Sequence, residues 1–236
     1  MMRYTYLLVD IFTILIPFIY SFHPKIRFDK SWKSFFPAMI IAAILFLTWD
    51  EVFTKWGVWG FNPDYLIGIS IGHLPLEEIL FFVCIPYSCV FTYFCFKKFN
   101  ILYLFSKRVS KIVSLVLIAS LLTVGLLNYQ RDYTFSTFVL ISLFLVWHQF
   151  KTKSEYLPQF YFTYLIILVP FSIVNGILTG TAIDTPVVWY NDIENLGIRM
   201  GTIPVEDTFY GMLLILLNVT IFEYLEKKNQ NISSIG

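Results

Sequence analysis

The sequence predicts an all-α polytopic membrane protein with about seven transmembrane helices, and three observations carry that prediction. Of its 236 residues, 57% are hydrophobic and only 14% are charged, whereas soluble domains carry roughly 25% charge. The apolar residues gather into runs close to the roughly 17 to 25 residues that cross a bilayer core. Basic residues crowd into alternate connections between those runs. A net charge of +1, held in short clusters, excludes a nucleic-acid surface and a disordered acidic tail. The composition likewise excludes a soluble enzyme.

In chain order the runs are Tyr4–Tyr20, Phe35–Trp49, Leu76–Phe96, Ile112–Leu127, Tyr133–Phe150, Phe160–Leu178 and Val205–Leu225. The first lacks a strongly basic leader and a small-residue cleavage site, so it reads as a permanent helix. Two runs are slightly short, which fits tilt or blurred helix ends. Cys84, Cys89 and Cys95 share the third run without CxxC spacing, and so read as packing residues with no disulfide or zinc role. Lys25, Arg27, Lys30 and Lys33 follow the first run, and Lys97, Lys98, Lys107, Arg108 and Lys111 follow the third. Lys151 and Lys153 follow the fifth, and Lys227 and Lys228 the seventh. Only Arg3, Lys55, Arg131 and Arg199 fall on the other side. Short basic loops stay in the cytoplasm, which sets the N-terminus outside and the C-terminus inside.

Comparison of the halves exposes an internal repeat. Gly72-His73-Leu74-Pro75-Leu76-Glu77-Glu78 in the first half answers Gly201-Thr202-Ile203-Pro204-Val205-Glu206-Asp207 in the second. Upstream, Trp49-Asp50 answers Val174-Asn175 at helix ends, and Val58-Trp59-Gly60-Phe61-Asn62 answers Val188-Trp189-Tyr190-Asn191. The reading is one membrane domain over residues 1–236. It comprises repeat A (1–98), a linking helix (99–129) and repeat B (130–228), with two three-helix repeats in parallel orientation. A pseudo-twofold along the membrane normal would then set the two acidic motifs face to face near the outer helix ends.

Each motif reads Pro-x-acid-acid at the opening of an apolar helix. Proline suits the first helical position, and first-turn carboxylates meet the helix dipole, which explains one copy structurally. Four carboxylates at membrane depth are costly unless paired, protonated or wet, which makes Glu77, Glu78, Glu206 and Asp207 candidate catalytic groups. A proton shared within such a cluster would leave one carboxyl as acid and its neighbour as base. Aromatic residues surround both motifs. Trp49, Trp56, Trp59 and Phe61 precede the first, Phe81 and Phe82 follow it, and Trp189, Tyr190, Phe209 and Tyr210 flank the second. Glu77 with Phe81, and Glu206 with Tyr210, are spaced i, i+4 on one helix face. An aromatic face beside an acid stabilises a developing carbocation, and the chemistry this suits is proton-initiated rearrangement of a polyene. The substrate-lining candidates are Trp49, Asp50, Trp59, Phe61, Asn62, Phe81, Phe82, Asn175, Trp189, Tyr190, Asn191, Phe209 and Tyr210. Asp10 reads equally as a helix-packing group or as part of the site. His73 is placed to relay protons, although a lone loop histidine usually does no chemistry. His23 and His148 carry no role, and Glu223 falls at the cytoplasmic end of the last helix.

The segments Tyr6-Leu7-Leu8-Val9-Asp10, Ser21-Phe22-His23-Pro24-Lys25, Thr48-Trp49-Asp50, Gly57 to Pro63, Leu74 to Glu78, Val174 to Gly180 and Gly201 to Asp207 together resemble the lycopene cyclase family of small membrane proteins. The resemblance covers nearly the whole chain and matches the form in which two half-subunits are fused. It implies conversion of the ψ ends of lycopene to β rings, giving γ-carotene and then β-carotene, with no net redox change. The implied enzyme is an intramolecular lyase or isomerase of carotenoid biosynthesis, in the cell membrane, without cofactor or metal. No G-x-G-x-x-G dinucleotide fingerprint is present. The implied partners are lycopene and membrane lipid, with a homo-oligomer or contact with other carotenoid enzymes left open. Alternatives are a cyclase of C50 or other carotenoids, an ε or γ ring product, and a proton-coupled membrane transporter. Asn191-Asp192-Ile193-Glu194 only faintly echoes the Mg²⁺-binding acids of isoprenoid transferases. The charge alternation predicts that reporters fused to the two termini read opposite sides of the membrane; the same side for both would remove one span.

Overall fold

The structure, a computed structural model, describes residues 2–101, 106–152 and 155–233. Lys153 and residues 102–105 of the linking segment lie outside that range. Among the described residues seven α-helices form: α1 (Thr5–Ser21), α2 (Trp32–Trp56), α3 (Leu76–Lys98), α4 (Lys107–Leu127), α5 (Asp132–Trp147), α6 (Leu157–Leu178) and α7 (Val205–Ser233). The chain is an all-α polytopic membrane protein. Six of these helices, with α5 counted through Phe150, are long and apolar enough to cross a membrane, and α1 has 17 residues. Large apolar side chains such as Phe12, Ile16, Leu45, Val116, Val169 and Ile173 are exposed, the pattern of helices solvated by lipid.

Helix ends differ from the apolar runs because polar first and last turns continue a helix beyond its hydrophobic stretch. α2 runs on to Trp56, so Asp50 sits inside it and does not end it. α4 starts at Lys107, where Ser106 accepts the Val109 N–H at 3.2 Å as an N-cap. Pro75 is not the first helical residue: it is extended (φ −67°, ψ 154°) and precedes α3 by one position. Hydroxyls inside the apolar helices bond back to the preceding turn, as Thr13 does to the Val9 carbonyl (2.7 Å) and Ser142 to that of Phe138 (2.6 Å).

Two compact units divide the chain. The first comprises Met1–Val52, Pro63–Asn100 and Leu214–Gly236. Here α1 packs on α3, and Phe28, fully buried, lies against the rings of Phe35, Tyr87, Phe91 and Phe222. Glu223 accepts from Tyr93 (2.7 Å) and Lys97 (2.5 Å), tying the end of α3 to that of α7. A short hairpin, β2 (Ser70–Ile71) with β3 (Leu74–Pro75), leads into α3. The second unit comprises Phe53–Asn62 and Ile101–Leu213. In it α4 packs on α5, brought close by Gly125, where an added Cβ would sit 3.2 Å from Cβ of Phe138. The strands β1 (Trp59–Phe61) and β4 (Val188–Tyr190) pair antiparallel. A second hairpin, β5 (Arg199–Met200) with β6 (Ile203–Pro204), leads into α7.

The two hairpins match residue for residue. Gly72 and Gly201 turn them with φ +64° and +66°, which L side chains resist. A Cβ on Gly72 would lie 2.7 Å from the Glu51 carboxyl, whereas nothing lies within 4 Å at Gly201. That carboxyl accepts the His73 backbone N–H at 2.9 Å and meets its Nδ1 at 2.6 Å. Gly201→Ala is therefore expected to cost about 1 kcal/mol of backbone strain. Gly72→Ala is expected to cost more, because it also displaces Glu51 from His73. Thermal unfolding in detergent should rank the two in that order.

Candidate functional site

Each unit buries one Pro-x-acid-acid motif, and the first acid of each is held in the same way. Glu77 Oε1 accepts the backbone N–H of Ile67 at 2.6 Å, and Glu206 Oε1 accepts that of Leu196 at 2.8 Å; both donors lie ten residues earlier in the chain. Both side chains are fully buried. The donor loops are clamped by arginines. Arg3 donates to the Ile67 carbonyl at 2.9 Å, and Arg131 donates to the carbonyls of Asp192 (3.2 Å) and Asn195. In both motifs the second carboxyl oxygen, Glu77 Oε2 or Glu206 Oε2, is buried with no hydrogen-bond partner.

The second acids differ. In the first unit Glu78 accepts from the Tyr6 hydroxyl at 2.5 Å, and Asp50 from α2 lies beside it. Asp10, on α1, completes the acidic group at 1% exposure. Phe81 meets Tyr6 edge-on at 6.3 Å, and Phe82 packs on Phe46. Trp49 also lies against Phe46.

In the second unit Asp207 has three donors: Tyr133 at 2.5 Å, Asn175 at 2.7 Å and Tyr190 at 2.9 Å. Glu206 takes a further bond from Thr134 at 2.6 Å. Aromatic rings surround this pair. Trp59 lies 5.0 Å from Tyr133, 6.2 Å from Tyr190 and 6.1 Å from Tyr210, while Tyr190 stacks on Tyr133 at 5.9 Å. The start of α5, which carries Tyr133 and Thr134, is fixed by Glu194. Its carboxyl accepts the Asp132 N–H at 3.1 Å and its carbonyl that of Tyr133 at 3.0 Å.

The structure thus brings Glu77, Glu78 and Asp50 together in one unit. In the other it gathers Glu206, Asp207, Asn175, Trp59, Tyr190 and Tyr210. Other candidates are used elsewhere. Asn62 donates to Thr185 (3.1 Å), and Asn191 Oδ1 accepts the Ile193 N–H (3.1 Å), so both shape loops. Trp189 covers Gly60, Phe61 pairs with Val188 in the strand ladder, and Phe209 packs on Phe138. The faint metal-like acids are also taken. Glu194 caps α5, and Asp192 pairs with Arg199 at 2.5 Å. Partial burial opposes ionisation of Asp192, but hydrogen bonds from Arg199 and Asn195 outweigh it and hold the carboxyl below its usual range. Among the described residues, no group of three or more His, Cys, Asp or Glu is placed to hold a metal ion.

Tyr6, Tyr133 and Thr134 are site residues that sequence reasoning missed. Each contacts an acid more than 70 residues away. Their one local signal is position, since all three stand in the first turn of the helix that opens a repeat.

Tyr133→Phe strips the donor from Asp207 Oδ1, whereas Tyr190→Phe leaves Asn175 on Oδ2. Loss of a buried partner costs about 1–3 kcal/mol. Tyr133→Phe is therefore expected to lower the unfolding midpoint in detergent more than Tyr190→Phe does, and equal midpoints would contradict the assigned hydrogen bonds.

Sequence comparison places this geometry among known proteins. A bifunctional lycopene cyclase/phytoene synthase of Gibberella fujikuroi is 26% identical over 184 residues, covering 74% of this chain and 29% of that protein. One from Fusarium fujikuroi is 27% identical over 197 residues, 76% of this chain and 29% of its own length. One from Aspergillus niger is 34% identical over 58 residues, 25% of this chain and 10% of that protein. The chain therefore spans less than a third of the length of these relatives. No solved structure matches. The sequence model described as Lycopene cyclase matches residues 3–96 and 130–225, most of the chain and both acidic motifs, and the protein belongs to the lycopene cyclase family.

Proposed function

We propose that this protein is a lycopene cyclase that closes the ψ ends of lycopene to β rings, giving γ-carotene and then β-carotene. One observation carries the reading. In each unit a fully buried acid is fixed by a loop N–H through one oxygen while its other oxygen is buried and unpartnered. A substrate without polar atoms offers such an oxygen no hydrogen bond, so what remains for it to do is hold and exchange a proton.

The reaction is an isomerisation. A carboxylic acid gives its proton to the terminal double bond, and a tertiary cation forms. The neighbouring double bond attacks that cation and closes the ring, and a carboxylate removes a proton from the adjacent carbon. One proton enters and one leaves, with no electron transfer. The rings of Trp59, Tyr133, Tyr190 and Tyr210 around Asp207 offer the negative faces that suit a passing cation. Burial of the acids supports exclusion of water, which would trap the cation as an alcohol. The substrate reaches the site from the bilayer, and the basic loops put the acidic helix ends on the outer side.

Expression in a bacterium that accumulates lycopene is expected to shift the pigment to γ-carotene or β-carotene on chromatography. Glu77→Gln or Glu206→Gln is expected to lower conversion by about 10²-fold or more while membrane insertion persists. Full activity in both variants would remove these acids from the mechanism, and a strict need for reduced flavin would contradict a redox-neutral reaction.

A further inference from the structure

Arg131 is a cation that precedes α5 by one residue and lies outside both acidic motifs. Among the described residues it forms no ion pair. Its guanidinium donates instead to two backbone carbonyls, those of Asp192 (3.2 Å) and Asn195. The Asn195 carbonyl and the Leu196 N–H are the two ends of one peptide group, and that N–H is the donor to Glu206 Oε1 at 2.8 Å. A single planar unit therefore lies between a guanidinium and a buried carboxyl. The first unit is built differently. Arg3 takes the carbonyl of Ile67 at 2.9 Å and Glu77 takes the N–H of the same residue, and those two groups belong to neighbouring peptides.

The planarity of the peptide means that fixing its carbonyl also fixes the direction of its N–H. A charged donor on the carbonyl polarises the group and strengthens the N–H at the other end. Asn195 is 1% exposed, and its side chain holds the loop on either side, donating to the Asn191 carbonyl (3.2 Å) and accepting the Gly197 N–H (2.7 Å). The Asn195–Leu196 peptide itself is left to its two partners, Arg131 and Glu206. At the carboxyl, Oε1 accepts both the Leu196 N–H and the Thr134 hydroxyl (2.6 Å). Two donors fill the acceptor sites of that oxygen, so Oε2, buried and unpartnered, is the oxygen left to carry a proton.

We propose that Arg131 is a positioning residue for the reaction: acting through the Asn195–Leu196 peptide, it holds Glu206 by Oε1 and so keeps Oε2 as the oxygen that exchanges a proton with the polyene. The inference rests on the cyclase reading and adds no step to it. One proton enters and one leaves as described above, and Arg131 touches neither the substrate nor the proton. Without the guanidinium the peptide is free to tilt, its N–H leaves Oε1, and the carboxyl turns away from the reacting carbon.

The test uses the full chain in lipid, with Arg131→Gln, Arg131→Lys and Glu206→Gln beside the wild type. Asn195–Leu196 is the one Asn–Leu step in the sequence, so asparagine labelled with ¹³C at the carbonyl and leucine labelled with ¹⁵N mark this peptide alone in an NMR spectrum. Its carbonyl carbon and amide proton are both expected downfield in the wild type, and both are expected to move upfield in Arg131→Gln. Glu206→Gln is expected to shift the same amide proton, which ties the signal to the carboxyl without any change at Arg131. Arg131→Gln is expected to lower kcat for lycopene about tenfold or more with KM unchanged. Arg131→Lys, which keeps a charged donor, is expected to recover part of both the rate and the shift. An amide proton that stays in place in Arg131→Gln or in Glu206→Gln overturns the proposal. A wild-type kcat in Arg131→Gln, or a loss confined to KM, overturns it as well. If the wild type converts no lycopene, the cyclase reading fails, and the peptide signal alone still decides whether Arg131 acts on Glu206.

Discussion

A carboxylate buried where a membrane helix begins has to find its hydrogen bonds in the protein, because water is not available to supply them. In this chain the solution is a loop bent back so that a backbone N–H meets the first acid, Ile67 on Glu77 and Leu196 on Glu206. Much of the local architecture follows from that requirement. The glycine-turned hairpins bring the chain back into the helix, extended prolines set its entry, and Arg3 and Arg131 hold the donor loops by their carbonyls. The helix dipole adds a favourable field at the same place. Loop, clamp and helix start form one device, and the chain builds it twice.

The two copies then diverge at the second acid. Asp207 meets three neutral donors, an arrangement that satisfies a carboxylate without a counter-ion. Glu78 meets one tyrosine and has another carboxyl, Asp50, beside it. The aromatic surroundings diverge as well. Trp59, Tyr190 and Tyr210 gather about Tyr133 in the second unit, whereas Phe81, Tyr6, Phe82 and Phe46 line the first with less polar rings.

The apolar matrix gives these polar contacts their weight. Hydroxyls of Thr13, Ser142 and Thr220 in the helices are turned back on carbonyls of the preceding turn. Gly125 lets α4 and α5 approach closely, and the Phe28 cluster fills the first unit with rings.

Hydropathy and charge alone determined the class, the seven helices and the acids at two helix starts, because helix periodicity and the cost of charge in a bilayer are local properties of the chain. The helix limits were legible less well. α2 continues through Asp50 to Trp56, since polar residues extend a helix that packing has already nucleated. Which polar residues serve the acids was decided only by tertiary structure. Asn175 and Tyr190 reach Asp207, while Asn62 and Asn191, equally polar and equally close to a motif, shape loops instead. Tyr6, Tyr133 and Thr134 meet their acids across more than 70 residues, a distance at which spacing in the chain carries no geometric information and only the packing of one helix start against another selects the partner.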